Sequence, residues 1–153
     1  MINVRIAGGV LIAGTAAAVV GCAPATERPV TQASAVVASE HPSETLKTLI
    51  NQALPNIPGK TFTSATVTFP PGARAAPHRH GNAFVYAYVL QGTVRSRLEG
   101  EPMRTYRQGE NWIERPGAHH VATENVSNTE PAKLLVVFIS NTGEQLKIND
   151  PHQ

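Results

Sequence analysis

Apolar and polar positions fall into distinct regimes along the chain. Ile6 to Val20 is uncharged and rich in Ala, Gly and Val, whereas Ala23 to His41 mixes Ala, Pro, Thr, Ser, Val and Glu without a period. Behind Pro42-Ser43-Glu44, the residues Leu46, Leu49, Ile50 and Leu54 recur at spacings of three and four. That spacing predicts a short N-terminal helix with its linker over 42–60, capped by Ser43 and stopped by Pro55 and Pro58-Gly59. Its narrow apolar stripe needs a surface to pack on, and the segment that follows is the candidate. There the pattern shortens to strands: TFTSATVTF closes at Pro70-Pro71-Gly72, and AFVYAYVL, TVRSRL, MRTYR, NWIE, HHVATEN and AKLLVVFIS follow between Gly- and Pro-bearing turns. Strands punctuated about every ten residues predict a closed or double-sheet antiparallel domain over 61–140. Residues 141–153 are polar and predict a frayed C-terminal tail.

The first regime is an address. One cation, Arg5, precedes an uncharged h-region that is too short and too rich in small residues for a permanent membrane span. The run ends in Val19-Val20-Gly21-Cys22, which resembles the lipobox of bacterial lipoproteins. The resemblance implies a signal peptide over 1–21, a lipid on the Cys22 thiol, and attachment at the periplasmic face, with Ala23 favouring the outer membrane. Cys22 is the single cysteine, so no internal disulfide forms. Residues 22–41 then read as a disordered tether reaching about 25 Å as a flexible coil.

Charge adds little. Thirteen basic against eleven acidic side chains give +2, and Arg95, Arg97, Arg104, Arg107 and Arg115 are interleaved with Glu99, Glu101, Glu110 and Glu114. That is a mixed solvated surface and argues against a nucleic-acid partner.

The candidate chemistry lies in the histidines. In His78-Arg79-His80 an extended backbone puts both imidazoles on one face and Arg79 on the other. In His119-His120 the same alternation turns one ring inward, just after the Pro116-Gly117 turn. Two rings from one strand and one from another make a three-nitrogen face for a divalent metal. Tyr86 and Tyr88 lie on the parity opposite to that face, so they point away from it. An exposed aromatic face there predicts a subunit interface.

These residues resemble the two motifs of the cupin superfamily. Gly72, His78, His80 and Gly92 stand at the first motif's positions, and Gly109, Gly117 and His120 at those of the second. The first motif's glutamate falls at Val85; in the second, the proline position is Arg115 beside Pro116, and the asparagine position is Glu124 beside Asn125. The resemblance implies an all-β jelly-roll barrel, the double-stranded β-helix, with the N-terminal helix packed against it. It also implies His78, His80 and His120 as ligands of a divalent transition metal. His119 becomes the outward neighbour or a second-shell group, and Glu114 is a second-shell candidate and the nearest acid in sequence to replace the lost carboxylate. Losing that carboxylate lowers affinity most for Mn and Fe, and loading outside the cytoplasm favours Zn, Cu or Ni over Fe.

Two function classes follow. One is a lipid-anchored, metal-dependent enzyme, oxygenase or isomerase-like, whose open coordination positions take a small oxygen-rich substrate. The other is a non-catalytic envelope lipoprotein that binds a small ligand or plays a structural part. A homodimer is the expected assembly in either case.

Overall fold

The computed structural model describes residues 42–151, and all regular structure there is extended. Eleven strands run in chain order: β1 Thr45–Ala53, β2 Lys60–Phe69, β3 Arg74–Ala75, β4 His78–Arg79, β5 Phe84–Gln91 and β6 Thr93–Leu98. They continue as β7 Arg104–Arg107, β8 Asn111–Glu114, β9 His119–Asn125, β10 Ala132–Asn141 and β11 Ile148–Asn149. One sheet has the order β1-β2-β10-β5-β8; the other has β11-β4-β9-β6-β7, with β3 also on β9. All pairings are antiparallel. No hydrogen-bonded seam closes the two sheets into one ring among the described residues, so the expected jelly roll is a two-sheet sandwich and not a closed barrel.

The core lies between the sheets, as strict alternation requires. β2 buries Thr61, Thr63, Ala65, Val67 and Phe69, and β10 buries Leu134, Val136 and Phe138 from the adjacent strand. Phe69 and Phe138 are each 2% exposed, and burial of such a side chain contributes about 1.5–3 kcal/mol. β5 turns Val85, Ala87 and Val89 inward and leaves Tyr86 and Tyr88 on the outer face, as their parity predicts.

The predicted helix over 42–60 is instead β1, hairpinned to β2 through a turn in which Leu54 N–H donates to Lys60 O at 2.9 Å. The helical spacing has a local cause. The register slips between Thr48 and Ile50, so Leu49 sits in a bulge, and a bulge adds one residue to a period of two. Leu46 pairs with the inward Val67 and Ile50 with the outward Ser64, so the supposed single stripe divides between two faces. The open edge of β2 offers a full ladder of backbone partners, and this outweighs a weak helical preference.

The segment read as a frayed tail is also structured up to Asp150. It turns back after β10, and β11 pairs with β4, placing Ile148 opposite Arg79 and Asn149 opposite His78. The signal peptide, Cys22, the tether and His152 lie outside the described residues. Among the described residues, no helix is long and apolar enough to cross a membrane.

Candidate metal centre

Register brings the histidines together. β4 lies against β9 with His78 directly opposite His120 and Arg79 opposite His119. Facing residues of an antiparallel pair share a side, so His78 and His120 both turn into the sandwich and His119 turns out. His80 follows β4 and returns to the inner side. His78, His80 and His120 each offer a nitrogen within 4.8 Å of the others. His119 leaves the cluster: its Nε2 lies 2.8 Å from Asp150 Oδ2 and its Nδ1 3.5 Å from Glu99 Oε2. Of the two places that the resemblance leaves open for His119, it takes the outward one, against Asp150 and Glu99.

Glu114 enters the cluster from β8. It stands directly opposite Val85, the position of the family's glutamate, and is 3% exposed. Its Oε1 accepts the Trp112 indole N–H at 3.1 Å and lies 3.0 Å from His120 Nδ1. Its Oε2 lies 3.6 Å from His80 Nε2 and has no hydrogen-bond partner. A carboxylate from the neighbouring strand thus stands at the same level of the sheet as the position where the family's acid is missing, beside the three-histidine group.

The hydrogen bonds fix two tautomers. His78 Nδ1 lies 2.7 Å from Ala76 O, and His80 Nδ1 contacts Leu146 O. A carbonyl only accepts, so both Nδ1 atoms carry the hydrogen and both Nε2 atoms present lone pairs. Those lone pairs face each other at 3.2 Å. A shared proton would relieve the clash at the cost of charging the pair, and burial opposes this. Burial pushes the His78 pKa from 6.5 down to about 3, against the pull of the Ala76 carbonyl and helped by positive charge at His120, His80 and Lys147. His80 is also lowered, chiefly by burial, although Glu114 and the Leu146 carbonyl act in the opposite sense. Two nitrogens each 2.0–2.1 Å from one ion, at angles between right and tetrahedral, lie roughly 2.9–3.4 Å apart. The observed separation falls inside that range, so the residues fit a cation.

His120 is held from behind, with Nε2 at 2.8 Å from Ser96 Oγ and 2.6 Å from Thr123 Oγ1. Its Nδ1 is buried without an aligned hydrogen bond. Burial pushes the Glu114 carboxyl up, but the His120 imidazole, then His80 and the Trp112 N–H, outweigh it and hold the pKa below the usual value. The three rings make a donor set for a divalent transition ion, with the Glu114 carboxylate beside them.

The cluster opens on a cavity of ≈ 110 Å³ whose apolar wall includes Val67, Phe69, Leu134, Val136 and Phe138. Glu44 and Lys147 line the same cavity and form an ion pair. Sequence spacing gave no sign of these two, nor of Ser96, Trp112 and Thr123 as supports. Glu44, Lys147 and Ser96 reach the site from segments remote in sequence, whereas Trp112 and Thr123 lie within three residues of the side chains that they hold.

No curated protein matches the chain in sequence. Solved structures are similar in fold. A conserved double-stranded β-helix protein from Klebsiella pneumoniae shares 15% identity over 76% of this chain and 91% of its own, with a TM-score of 0.56. The Cnp3 cupin domain of Schizosaccharomyces pombe shares 16% over 65% and 62%, with a TM-score of 0.55. The DMSP lyase DddQ of Ruegeria pomeroyi shares 21% over 70% and 51%, with a TM-score of 0.57. The chain therefore spans less than two thirds of the yeast and lyase chains, and at these identities the likeness concerns fold. Residues 65–138 match the family model described as Cupin domain. Together with the two-sheet architecture and the motif positions, this makes the described part of the chain a single cupin domain.

Proposed function

We propose that this protein is a metal-dependent enzyme of the cell envelope, tethered by a lipid on Cys22, with its cation held by His78, His80, His120 and Glu114. The observation that carries the reading is the pair of Nε2 lone pairs fixed 3.2 Å apart in a buried site. When bound, the cation supplies Lewis acidity toward a substrate oxygen and, if redox-active, one-electron chemistry. The chain's own groups do the rest. Ala76 O and Leu146 O fix the two rings by accepting their Nδ1 hydrogens, and Trp112 orients Glu114 through Oε1. The apolar wall excludes water and limits the ligand to a small molecule. Glu114 changes the expected metal preference. A hard carboxylate beside three imidazoles also suits Fe and Mn, which a bare three-histidine face would hold poorly.

The outer face of the β1-β2-β10-β5-β8 sheet supports a homodimer. Tyr86 stands in register between Val137 and Ile113, Tyr88 opposite Leu135, and Phe84 opposite Ile139, making an uncharged patch that fits a second copy of the chain.

The test is metal content by mass spectrometry of the full chain, exported and detergent-extracted, beside a His78→Ala/His120→Ala double variant. Near one equivalent in the parent, lost in a variant with the same circular dichroism, is expected. No metal in either after incubation with Zn, Cu, Ni and Fe(II) refutes the enzyme and leaves a ligand-binding lipoprotein. Cys22→Ala is expected to move the protein out of the membrane fraction.

A further inference from the structure

The cavity's more exposed wall comes from outside the family-matched span: Glu44 precedes residue 65 and Lys147 follows residue 138. Both are held in place. Ahead of Glu44, Pro42 O accepts the Arg74 N–H at 3.1 Å. Lys147 sits between Leu146, whose carbonyl anchors the His80 ring, and Ile148, which pairs with Arg79. Lys147 is close enough for its charge to act on both His78 and His80. The Glu44 side chain is 12% exposed, and its Oε2 is buried without a partner. An ion pair this enclosed adds little to stability, and a buried carboxylate oxygen left without a partner works against it. Folding alone does not account for placing the pair in the wall of the cavity onto which the histidines open.

From this wall we infer that Lys147 and Glu44 select the ligand of the centre, and that the ligand is a small monoanion with an oxygen-donor end, a carboxylate or enolate. The inference rests on the metal reading above. With the imidazoles neutral, a divalent cation beside Glu114 and the Glu44–Lys147 pair leaves one net positive charge in a low-dielectric cavity, where one negative charge is wanted and a second is repelled by Glu44. The ammonium has three hydrogens, and Glu44 engages only part of that capacity, leaving donors for a ligand oxygen. Size sets the rest. At ≈ 110 Å³ the cavity is smaller than the roughly 150 Å³ that holds benzene, so about five or six non-hydrogen atoms fit.

The experiment loads the full chain with cobalt and titrates it with propionate and with propionamide, a neutral molecule of the same shape, following the cobalt visible spectrum. Propionate is expected to bind more tightly by about tenfold or more, the scale of a hydrogen bond between charged groups. Lys147→Met should cut that preference by about tenfold at unchanged cobalt content. Glu44→Gln should move the other way and tighten propionate binding severalfold. A merely structural pair would shift both variants in the same direction, and that result overturns the inference, as does a parent that holds cobalt yet shows no preference. If Lys147→Met fails to fold, the Glu44→Gln arm and the parent's preference decide. Failure of the parent to take up cobalt is a different result, since it removes the metal centre itself.

Discussion

The metal-free protein should lose stability between pH 7 and pH 5 more steeply than its carboxylates allow, because of His78. The ring is buried, and its pKa falls from 6.5 to about 3, with desolvation as the main cause. As pH drops through 6.5 the unfolded chain takes up a proton that the folded chain refuses until about pH 3. The contribution of the neutral ring is complete above 6.5, declines across that window, and levels off below about 3. The slope is ~1.4 kcal/mol per pH unit, so the descent from pH 7 to 5 costs about 2 kcal/mol from this ring. His80 is lowered in the same direction and steepens the fall. Against a typical total of 5–15 kcal/mol the effect is readily measured. The assay is urea unfolding of the chelator-treated chain at half-unit pH steps, beside His78→Asn, whose amide keeps an N–H for Ala76 O. The variant's curve should be flatter by about 2 kcal/mol over the same interval. Parallel curves would refute the claim that this ring is held neutral by burial, and with it the lone-pair argument for the cation.

Other consequences follow from the same geometry. Glu114→Gln keeps an acceptor for the Trp112 N–H but removes the charge; it should weaken metal binding by at least about 10–100-fold in competition with a chromophoric chelator, and unchanged affinity would exclude the carboxylate from the centre. Gly92→Ala combines a φ of +77° with a Cβ placed 2.9 Å from Pro131 O, whereas Gly100→Ala at φ +79° meets nothing within 4 Å. Urea midpoints should show about 1–2 kcal/mol lost at Gly100 and clearly more at Gly92. Tyr88→Glu puts a charge on the outer sheet face opposite Leu135, so sedimentation is expected to show a dimer for the parent and a monomer for the variant, with metal content unchanged.

How far the sequence could be read depends on which contacts are local. The strand-rich middle was legible because alternation and glycine turns are properties of neighbouring residues, and Tyr86 and Tyr88 face outward as their parity required. The His-x-His pair was legible for the same reason. His120 took its place because a period of two sends only one of two adjacent rings inward, and cross-strand register chose it over His119. β1 failed at a point where alternation itself is interrupted: one bulged residue, Leu49, turned a period of two into a spacing that reads as a helix.

The carboxylate was legible only in part: nearness in sequence nominates Glu114, but its place beside the histidines depends on cross-strand register. Counting along β5 finds Val85 where the family has its acid, and no reading along one strand repairs that loss. The repair lies across the ladder, where the β5–β8 register sets Glu114 opposite Val85 and turns both inward. Twenty-eight residues and two intervening strands separate them in sequence. A site is defined by which groups converge on a point, and adjacent strands offer two backbone positions for nearly the same point. The acid can therefore change strands while the chemistry stays in place, provided something orients it anew. Here Trp112, two residues earlier on the same face, holds Oε1 and leaves Oε2 unpaired beside His80. The same logic applies at the cavity wall, where Glu44 and Lys147 are drawn from the two segments that the sequence alone reads as a helix and a tail. Both become part of the site only because β1 and β11 add strands to the edges of the sandwich.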